Sequence, residues 1–367
     1  MKKLLILTLL FLALFGSLTV HAAETEYDLS GVYDSLSEDA KRHLVSIGAD
    51  SAQPDSLSAL SFDGMMKEIA SMAQENIRSP LRGLISVTAM LLLCSMLTAH
   101  RGSLSADTGT ALELVLSLCL SAAVALPASA VITSIGEVIT RSSQLMLAYV
   151  PVMALLLTAS GSLSGSAAYY AAVVGAGEGV VQLSSGVVLP FLRMLLGMSI
   201  ASGVSGGVDL SGFTASVSKA AKWLLAFVMV VFTAVLGLKQ VVAGSLDSVT
   251  GKAARFAVSS FVPVVGAALS EALRTLQSSL GVLKSGIGVF VILALAVTFL
   301  PAVLRVLLWL LTLWAGKAMA EALNLSRGAR LLNGISDVFS VMLAVLLSVG
   351  AAFIIAAAAV FSIGGAS

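Results

Sequence analysis

Residues 286–315 read GIGVFVILALAVTFLPAVLRVLLWLLTLWA, a run in which Arg305 is the single charged side chain. About 20 apolar residues suffice for a helix to cross the hydrocarbon core of a bilayer. The run is long enough to span a membrane but too long for one straight crossing, and Pro301 stands in its middle. Because proline lacks a backbone donor and disturbs a helix, the sequence predicts an interruption at Pro301.

Basic side chains cluster on both sides of this run. Lys239, Lys252, Arg255, Arg274 and Lys284 precede it, and Lys317, Arg327 and Arg330 follow it. Lysine and arginine concentrate in the cytoplasmic loops of membrane proteins. If both clusters are cytoplasmic, an even number of crossings separates them, which predicts that Pro301 is the tip of a hairpin of two short spans.

The composition of the whole chain is that of a membrane protein. Of 367 residues, 58% are hydrophobic and 11% are charged, whereas soluble domains average about 45–50% apolar and about 25% charged residues. Single cores stop growing at about 250–300 residues, so much of the apolar surface must face lipid. We predict an all-α, polytopic integral membrane helix bundle, which excludes soluble enzymes. About seven spans are expected, within a range of six to nine, from the apolar runs at 84–98, 111–132, 145–158, 167–181, 187–204, 223–238, 286–315 and 338–361.

The first residues have the features of a secretory signal peptide. Lys2 and Lys3 precede an apolar run at 4–20, and small residues follow that run. We predict a signal peptide at 1–22, with an uncleaved first anchor as the alternative. Both interpretations place the following segment outside the cytoplasm.

The net charge of +1 conceals an uneven distribution along the chain. Residues 24–80 contain 11 acidic and 4 basic side chains, a net charge of −7. We predict an acidic, helical extracytoplasmic region at 23–82 and a multi-span transmembrane domain at 83–367. Apolar side chains recur in the acidic region at helical spacing: Met65, Ile69 and Met72. They predict an amphipathic helix that lies on the membrane or packs on the bundle, with a partner-binding helix as the alternative.

Two further segments depart from a regular span. Residues 182–186 contain two serines and a glycine between short apolar runs, which predicts either a tight hairpin or one broken span. Residues 253–283 combine charged side chains with Pro263 and Gly266, which predicts a re-entrant or interfacial element. Broken or re-entrant helices are therefore part of the predicted bundle.

Two short patterns recur at a spacing of 112 residues. Val-Pro-Val occurs at 150–152 and 262–264, and Leu-Arg occurs at 192–193 and 304–305. An internal duplication explains this spacing, and chance agreement among abundant Leu, Val and Ala is the competing explanation.

The chain shows no pattern of catalytic, cofactor-binding or metal-ligating residues, and it lacks the polybasic tract of a nucleic-acid-binding protein. Charged side chains within the apolar runs are the remaining candidates, since each costs about 2.5–3.5 kcal/mol at a helix centre. They predict a polar pathway or coupling site in the bundle interior, with Glu178 paired to Arg193, whereas structural ion pairs and snorkelling are the alternatives. The candidate polar and hinge residues are Glu113, Glu178, Arg193, Pro263, Gly266, Pro301, Arg305 and Asp337.

Several motifs in the second half of the chain point to a known family. They are Ser259-Ser260-Phe261-Val262-Pro263-Val264-Val265-Gly266 followed by Leu269 and Ser270, Lys239-Gln240-Val241-Val242 with Asp247, and Leu280-Gly281-Val282-Leu283-Lys284 with Gly288-Val289. In these motifs, and in its order of signal, acidic segment and multi-span body, the chain resembles the stage III sporulation protein AE family of endospore-forming bacteria.

The resemblance implies a multi-pass protein of the mother-cell membrane around the forespore, in the channel or secretion-like apparatus needed for endospore formation. It implies a role as channel or export-gate core, without catalytic residues. The implied partners are other stage III sporulation operon proteins, namely an ATPase and ring-forming subunits, and stage II sporulation protein Q. A secondary transporter with internal repeats and a non-conducting scaffold for ring proteins are the alternative functions.

Overall fold

The computed structural model describes residues 30–49, 62–99, 106–159, 163–204, 212–228, 230–232, 234 and 266–362. All regular elements of these residues are helices. In chain order they are α1 (Ser30–Asp34), α2 (Glu38–Ser46), α3 (Phe62–Asn76), α4 (Arg78–Ala99), α5 (Ala106–Ala159), α6 (Leu163–Leu183), a π-helical segment (Ser184–Val188), α7 (Leu189–Val204), α8 (Gly212–Phe232), α9 (Gly266–Ala322) and α10 (Ser326–Ser362). The all-α prediction is confirmed.

Six of these helices are long and apolar enough to cross a membrane, and the structure is a polytopic membrane bundle. The number lies within the predicted range of six to nine. The candidate spans are Arg78–Thr98, Ser117–Ala159, Gly186–Val204, Gly212–Phe232, Gly286–Ala322 and Ser326–Ala359.

The centre of the bundle is the antiparallel hairpin of α9 and α10. Trp309 faces Phe339 with ring centroids 5.9 Å apart, and Phe299 faces Phe353 at 6.5 Å. The α9 side chains from 286 to 297 are buried on every side of the helix. A helix that is apolar all round is stable in this way because its neighbours cover its whole surface.

The predicted hairpin at Pro301 is not present, because α9 continues through Pro301 as one helix of 57 residues. Proline removes one backbone hydrogen bond, and neighbouring helices in a membrane bundle hold the two halves in line despite that loss. The chain turns instead after α9, where Asn324 adopts the left-handed conformation with φ of 57°. Two backbone hydrogen bonds close this turn, from Leu325 N to Ala320 O at 2.8 Å and from Asn324 N to Glu321 O at 3.0 Å. This is a Schellman arrangement, which satisfies carbonyls at the helix end.

A second long hairpin flanks the first. Helix α5 contains 54 residues and joins two of the predicted apolar runs, 111–132 and 145–158, into one helix. The chain then returns along α5 through α6, the π-helical segment and α7, as shown by the hydrogen bond from Ser166 Oγ to Ala154 O at 2.8 Å. Leu183 and Leu189, on either side of the π-helical segment, both have helical dihedral angles. Of the two alternatives for 182–186, the tight hairpin is absent, because the helix continues from α6 into α7 with the π-helical segment as a local irregularity.

The N-terminal helices pack against the bundle. Val32, Leu36, Leu44 and Met72 are buried, and the His43 side chain of α2 pairs with Glu68 of α3. Helix α3 contacts α4 and α9. Of the alternatives for the amphipathic helix, this contact corresponds to packing on the bundle.

Helix α4 lies along the second half of α9. Thr312 Oγ1 donates a hydrogen bond to Pro80 O at 3.2 Å, and Trp309 lies against the backbone at Gly83. A methyl group at Gly83 would lie 2.3 Å from Cη2 of Trp309, so this contact requires a residue without a side chain.

Candidate functional site

The first polar site inside the bundle is the Arg305 cluster, which consists of Arg305, Asn76 and Ser134. Nε and Nη2 of Arg305 donate hydrogen bonds to Asn76 Oδ1 at 3.1 and 2.9 Å, and Nη1 donates to Ser134 Oγ at 3.3 Å. Asn76 is fixed in turn by the hydrogen bond from its Nδ2 to Met72 O at 2.8 Å. The cluster therefore ties the end of α3 and the middle of α5 to the central helix.

The Arg305 cluster reduces the cost of placing a charge among apolar helices. A guanidinium carries five N–H donors, and three of its nitrogens here have oxygen partners within the protein. Hydrogen bonds to a charged group contribute about 1.5–3 kcal/mol each, more than those between neutral groups. Arg305 is half-buried, so part of its remaining hydrogen-bonding capacity stays accessible.

The second polar site is a groove of about 430 Å³ between α5 and α7, which we call the α5–α7 groove. It is lined by Thr133, Gly136, Glu137, Thr140, Arg141, Gln144, Ser184, Leu189 and Arg193. At its floor the helices approach closely, since a methyl group at Gly136 would lie 2.6 Å from Cδ1 of Leu189. Its rim carries the exposed side chains of Glu137, Arg141 and Arg193.

One residue of the groove lies in the π-helical segment. Ser184 is 5% exposed, and its hydroxyl has no hydrogen-bond partner in the part of the chain that the structure describes. Insertions of a π-turn into a long helix occur frequently at functional sites. The combination identifies the groove as a place where a ligand can supply the missing partner.

The third polar site is a stripe of side chains on α10 that faces lysines of α8 and α9. Lys317 Nζ donates a hydrogen bond to Asn333 Oδ1 at 2.8 Å, and Lys222 Nζ donates to Ser340 Oγ at 3.1 Å. Asp337 lies between these positions and is half-buried, within electrostatic range of Lys222 and Lys317. The stripe gives the carboxylate an environment of opposite charge.

The structure gives Arg193, Arg305 and Asp337 separate sets of neighbours and does not gather them into one pathway. Glu113 and Glu178 lie in α5 and α6, but their side chains are outside the described part of the molecule, as is the predicted pair of Glu178 with Arg193. Pro263 also lies outside the described residues, and so does the second Val-Pro-Val of the predicted repeat, which stays a prediction. Gly266 is the first residue of α9.

The neutral partners in these sites were not among the predicted residues. Asn76 and Ser134 complete the Arg305 cluster, and Asn333 and Ser340 complete the α10 stripe. The spacing of 333, 337 and 340 places these polar residues on one helical face, and this regularity is visible in the sequence. Asn76 and Ser134 have no comparable signal because their partner is 229 and 171 residues away.

Among the described residues, no group of His, Cys, Asp and Glu side chains is arranged to hold a metal ion. The polar sites consist of guanidinium, ammonium, amide and hydroxyl groups with few carboxylates. These groups can donate hydrogen bonds to anions, and in the Arg305 cluster and the α10 stripe they join neighbouring helices.

Comparisons with known proteins give one consistent similarity. The family model described as stage III sporulation protein AE matches residues 54–364, which is well over half of the chain. A curated relative, stage III sporulation protein AE of Bacillus subtilis (strain 168), is 23% identical over 168 residues, which cover 46% of this chain and 42% of the relative. The aligned segment thus spans less than half the length of that relative. No solved structure matches the chain significantly.

Proposed function

The chain belongs to the stage III sporulation protein AE family, which implies a role in sporulation, and from that premise we propose that it is a membrane core of the apparatus joining mother cell and forespore. In this proposal the chain lies in the mother-cell membrane and acts as a channel or export-gate core. Its partners are the ATPase and ring-forming subunits of the same operon and stage II sporulation protein Q.

The main support for this proposal is the length of α5 and α9, the first helices of the two long hairpins. At 1.5 Å per residue, α5 and α9 extend for about 80–85 Å, whereas the hydrocarbon core is about 30 Å thick. Between the Arg305 cluster and the α9–α10 turn, large apolar side chains are exposed on α4 (Ile85, Met96), α5 (Leu114, Leu118, Leu126) and α9 (Leu311, Trp314). From Arg305 to Ala322, α9 rises about 26 Å, which is close to the thickness of one hydrocarbon core.

The exposed side chains of α5 change from apolar to polar near Ser134, which belongs to the Arg305 cluster. Toward the α9–α10 turn it presents Leu118 and Leu126, and over the turns directly beyond Ser134 it presents Glu137, Thr140 and Arg141, before Leu155 is exposed near the end of the helix. A lipid-facing helix surface is apolar, so this change marks the level where lipid ends. The other half of the bundle then stands outside the membrane as a rigid body that partner rings can contact.

The orientation of this arrangement follows from the proposed N-terminal signal at 1–22. Helices α1 to α3 then lie outside the cytoplasm, α4 enters the membrane from that side, and the α9–α10 turn faces the cytoplasm. The basic residues Lys317, Arg327 and Arg330 near that turn support this orientation.

Two measurements test the proposal in the organism that encodes the chain. Deletion of the gene is expected to block formation of heat-resistant spores and late forespore gene expression, and a tagged copy is expected to co-purify with the ring-forming subunits. Normal spores after deletion contradict the role, and a purified chain without ring subunits contradicts the partnership.

A secondary transporter is the second candidate, and the α5–α7 groove at a helix interruption favours it, because such interruptions form substrate sites in transporters. Reconstitution of the purified chain in liposomes distinguishes the two. A transporter moves solute alone, whereas the core of a complex is inert without its partners.

A further inference from the structure

We propose that the α5–α7 groove binds the phosphate headgroup of an anionic phospholipid. The first support is the charge of its rim. Among the described side chains that line the groove, Arg141 and Arg193 are the basic residues and Glu137 is the acidic residue, an excess of one positive charge. In the described part of the chain, neither arginine has a salt bridge within 4 Å. Guanidinium groups bind phosphate oxygens through paired N–H donors.

The second support is the Ser184 hydroxyl. It lines the groove at 5% exposure and has no partner among the described groups, so it is a buried donor that points to a missing acceptor. A phosphate oxygen in the groove supplies that acceptor. The Thr140 hydroxyl already donates a hydrogen bond to Gly136 O at 2.9 Å, whereas the Ser184 hydroxyl has no such acceptor among the described groups.

The third support distinguishes a lipid from a soluble phosphate. Leu126 of α5 and Met194 of α7 are 77% and 53% exposed, and both lie on the side of the groove toward the α9–α10 turn, since seven residues place Leu126 on the same face of α5 as Thr133 and Met194 follows Arg193. An apolar face next to a positively charged groove suits acyl chains next to a headgroup. A soluble anion makes no use of that face.

The position of the groove agrees with a headgroup. It begins at Thr133, where the exposed surface of α5 changes from apolar to polar, and this is the level at which lipid headgroups lie in the proposed membrane position. If that position is wrong but the groove binds phosphate, the soluble-anion measurement below separates the two outcomes.

The test titrates the purified full-length chain in detergent with phosphatidylglycerol and with phosphatidylcholine, and it counts bound lipid by native mass spectrometry. The variant R141Q/R193Q is expected to bind phosphatidylglycerol at least 10-fold more weakly than the unaltered chain, with phosphatidylcholine unchanged. The control R78Q/R82Q removes two exposed arginines of α4 near the same membrane level and is expected to change binding less than 2-fold.

Three results overturn the proposal: equal loss in both double variants, no loss in R141Q/R193Q, or displacement of the lipid by inorganic phosphate as effective as by added phosphatidylglycerol. If R141Q/R193Q does not fold, as judged by circular dichroism and gel filtration, R141K/R193K replaces it. That variant keeps the charge but not the paired donors, and it is expected to bind several-fold more weakly. Unchanged binding in R141K/R193K then overturns the paired-donor recognition.

Discussion

The contact between Gly83 and Trp309 predicts how much stability the chain loses when a methyl group is added at Gly83. In the variant Gly83→Ala, the new methyl carbon would lie 2.3 Å from Cη2, 2.7 Å from Cζ3 and 3.2 Å from Cζ2 of Trp309. Carbon atoms attract best at about 3.5–4.0 Å, so helix α4 or the indole must shift by roughly 1.2 Å. Trp309 is 1% exposed and lies against Phe339, so the ring has no free space to enter.

The expected magnitude comes from two opposing effects. Overpacking a close-packed core costs about 1–3 kcal/mol, whereas replacing a helical glycine by alanine contributes about 1 kcal/mol. The control Gly197→Ala in α7 has the second effect alone, because no atom lies within 4 Å of its methyl position. The free energy of unfolding of Gly83→Ala is therefore expected to be about 1–3 kcal/mol lower than that of Gly197→Ala.

The assay is reversible unfolding in mixed micelles titrated with sodium dodecyl sulfate, followed by circular dichroism. A double variant tests whether the indole causes the loss of stability, because Trp309→Phe removes the atoms that would contact the new methyl group. Gly83→Ala is then expected to be nearly neutral in the Trp309→Phe background. If Gly83→Ala matches Gly197→Ala in stability, α4 does not pack on α9 as described and the reasoning is refuted.

Three further predictions concern the Arg305 cluster, the α9–α10 turn and the membrane orientation. Asn76→Leu is expected to lower the free energy of unfolding by about 1.5–3 kcal/mol, because Arg305 loses its acceptor, while Asn76→Asp retains stability; equal losses in the same titration contradict the role of that oxygen. Asn324→Val is expected to lower the free energy of unfolding by about 1–2 kcal/mol in the same titration, and Asn324→Gly to leave it unchanged, since φ is 57° there. A valine variant as stable as the unaltered chain contradicts the left-handed turn. In a cysteine-free chain expressed in the cell membrane of growing, non-sporulating cells, a membrane-impermeant thiol reagent is expected to label Lys67→Cys from outside the cell and Ser326→Cys after permeabilisation alone; labelling of both from one side contradicts the proposed orientation.

The sequence predicted the class of fold because apolar composition and run length respond to the membrane itself. It indicated an irregularity at 182–186 for a related reason, since serines and a glycine weaken a helix locally, although the helix continues there through a π-helical segment. It was wrong about Pro301, because the effect of a proline depends on the helices packed around it, which no local pattern records. The true end of α9 is set by Asn324, whose side chain tolerates the left-handed conformation.

The polar sites were harder to predict from the sequence than the fold. Arg305 stood out because a charge in an apolar run is costly, whereas its partners Asn76 and Ser134 are neutral and distant along the chain. The α5–α7 groove depends on which faces of two helices meet at Gly136 and Leu189. That pairing is a property of tertiary structure, and periodicity in either helix alone does not specify it.

The hydrogen bond between Arg305 and Asn76 can form only late in the synthesis of the chain. The two residues are 229 positions apart, and at about 5–20 residues per second the ribosome needs roughly 10–45 s to make the later one. Early in that interval α4 is completed, whereas the indole that will cover Gly83 does not exist until its end. The early helices must therefore be kept in the membrane or by the insertion machinery until the central helix arrives. A premature stop before α9 would leave them without their main packing partner and expose them to quality-control proteolysis.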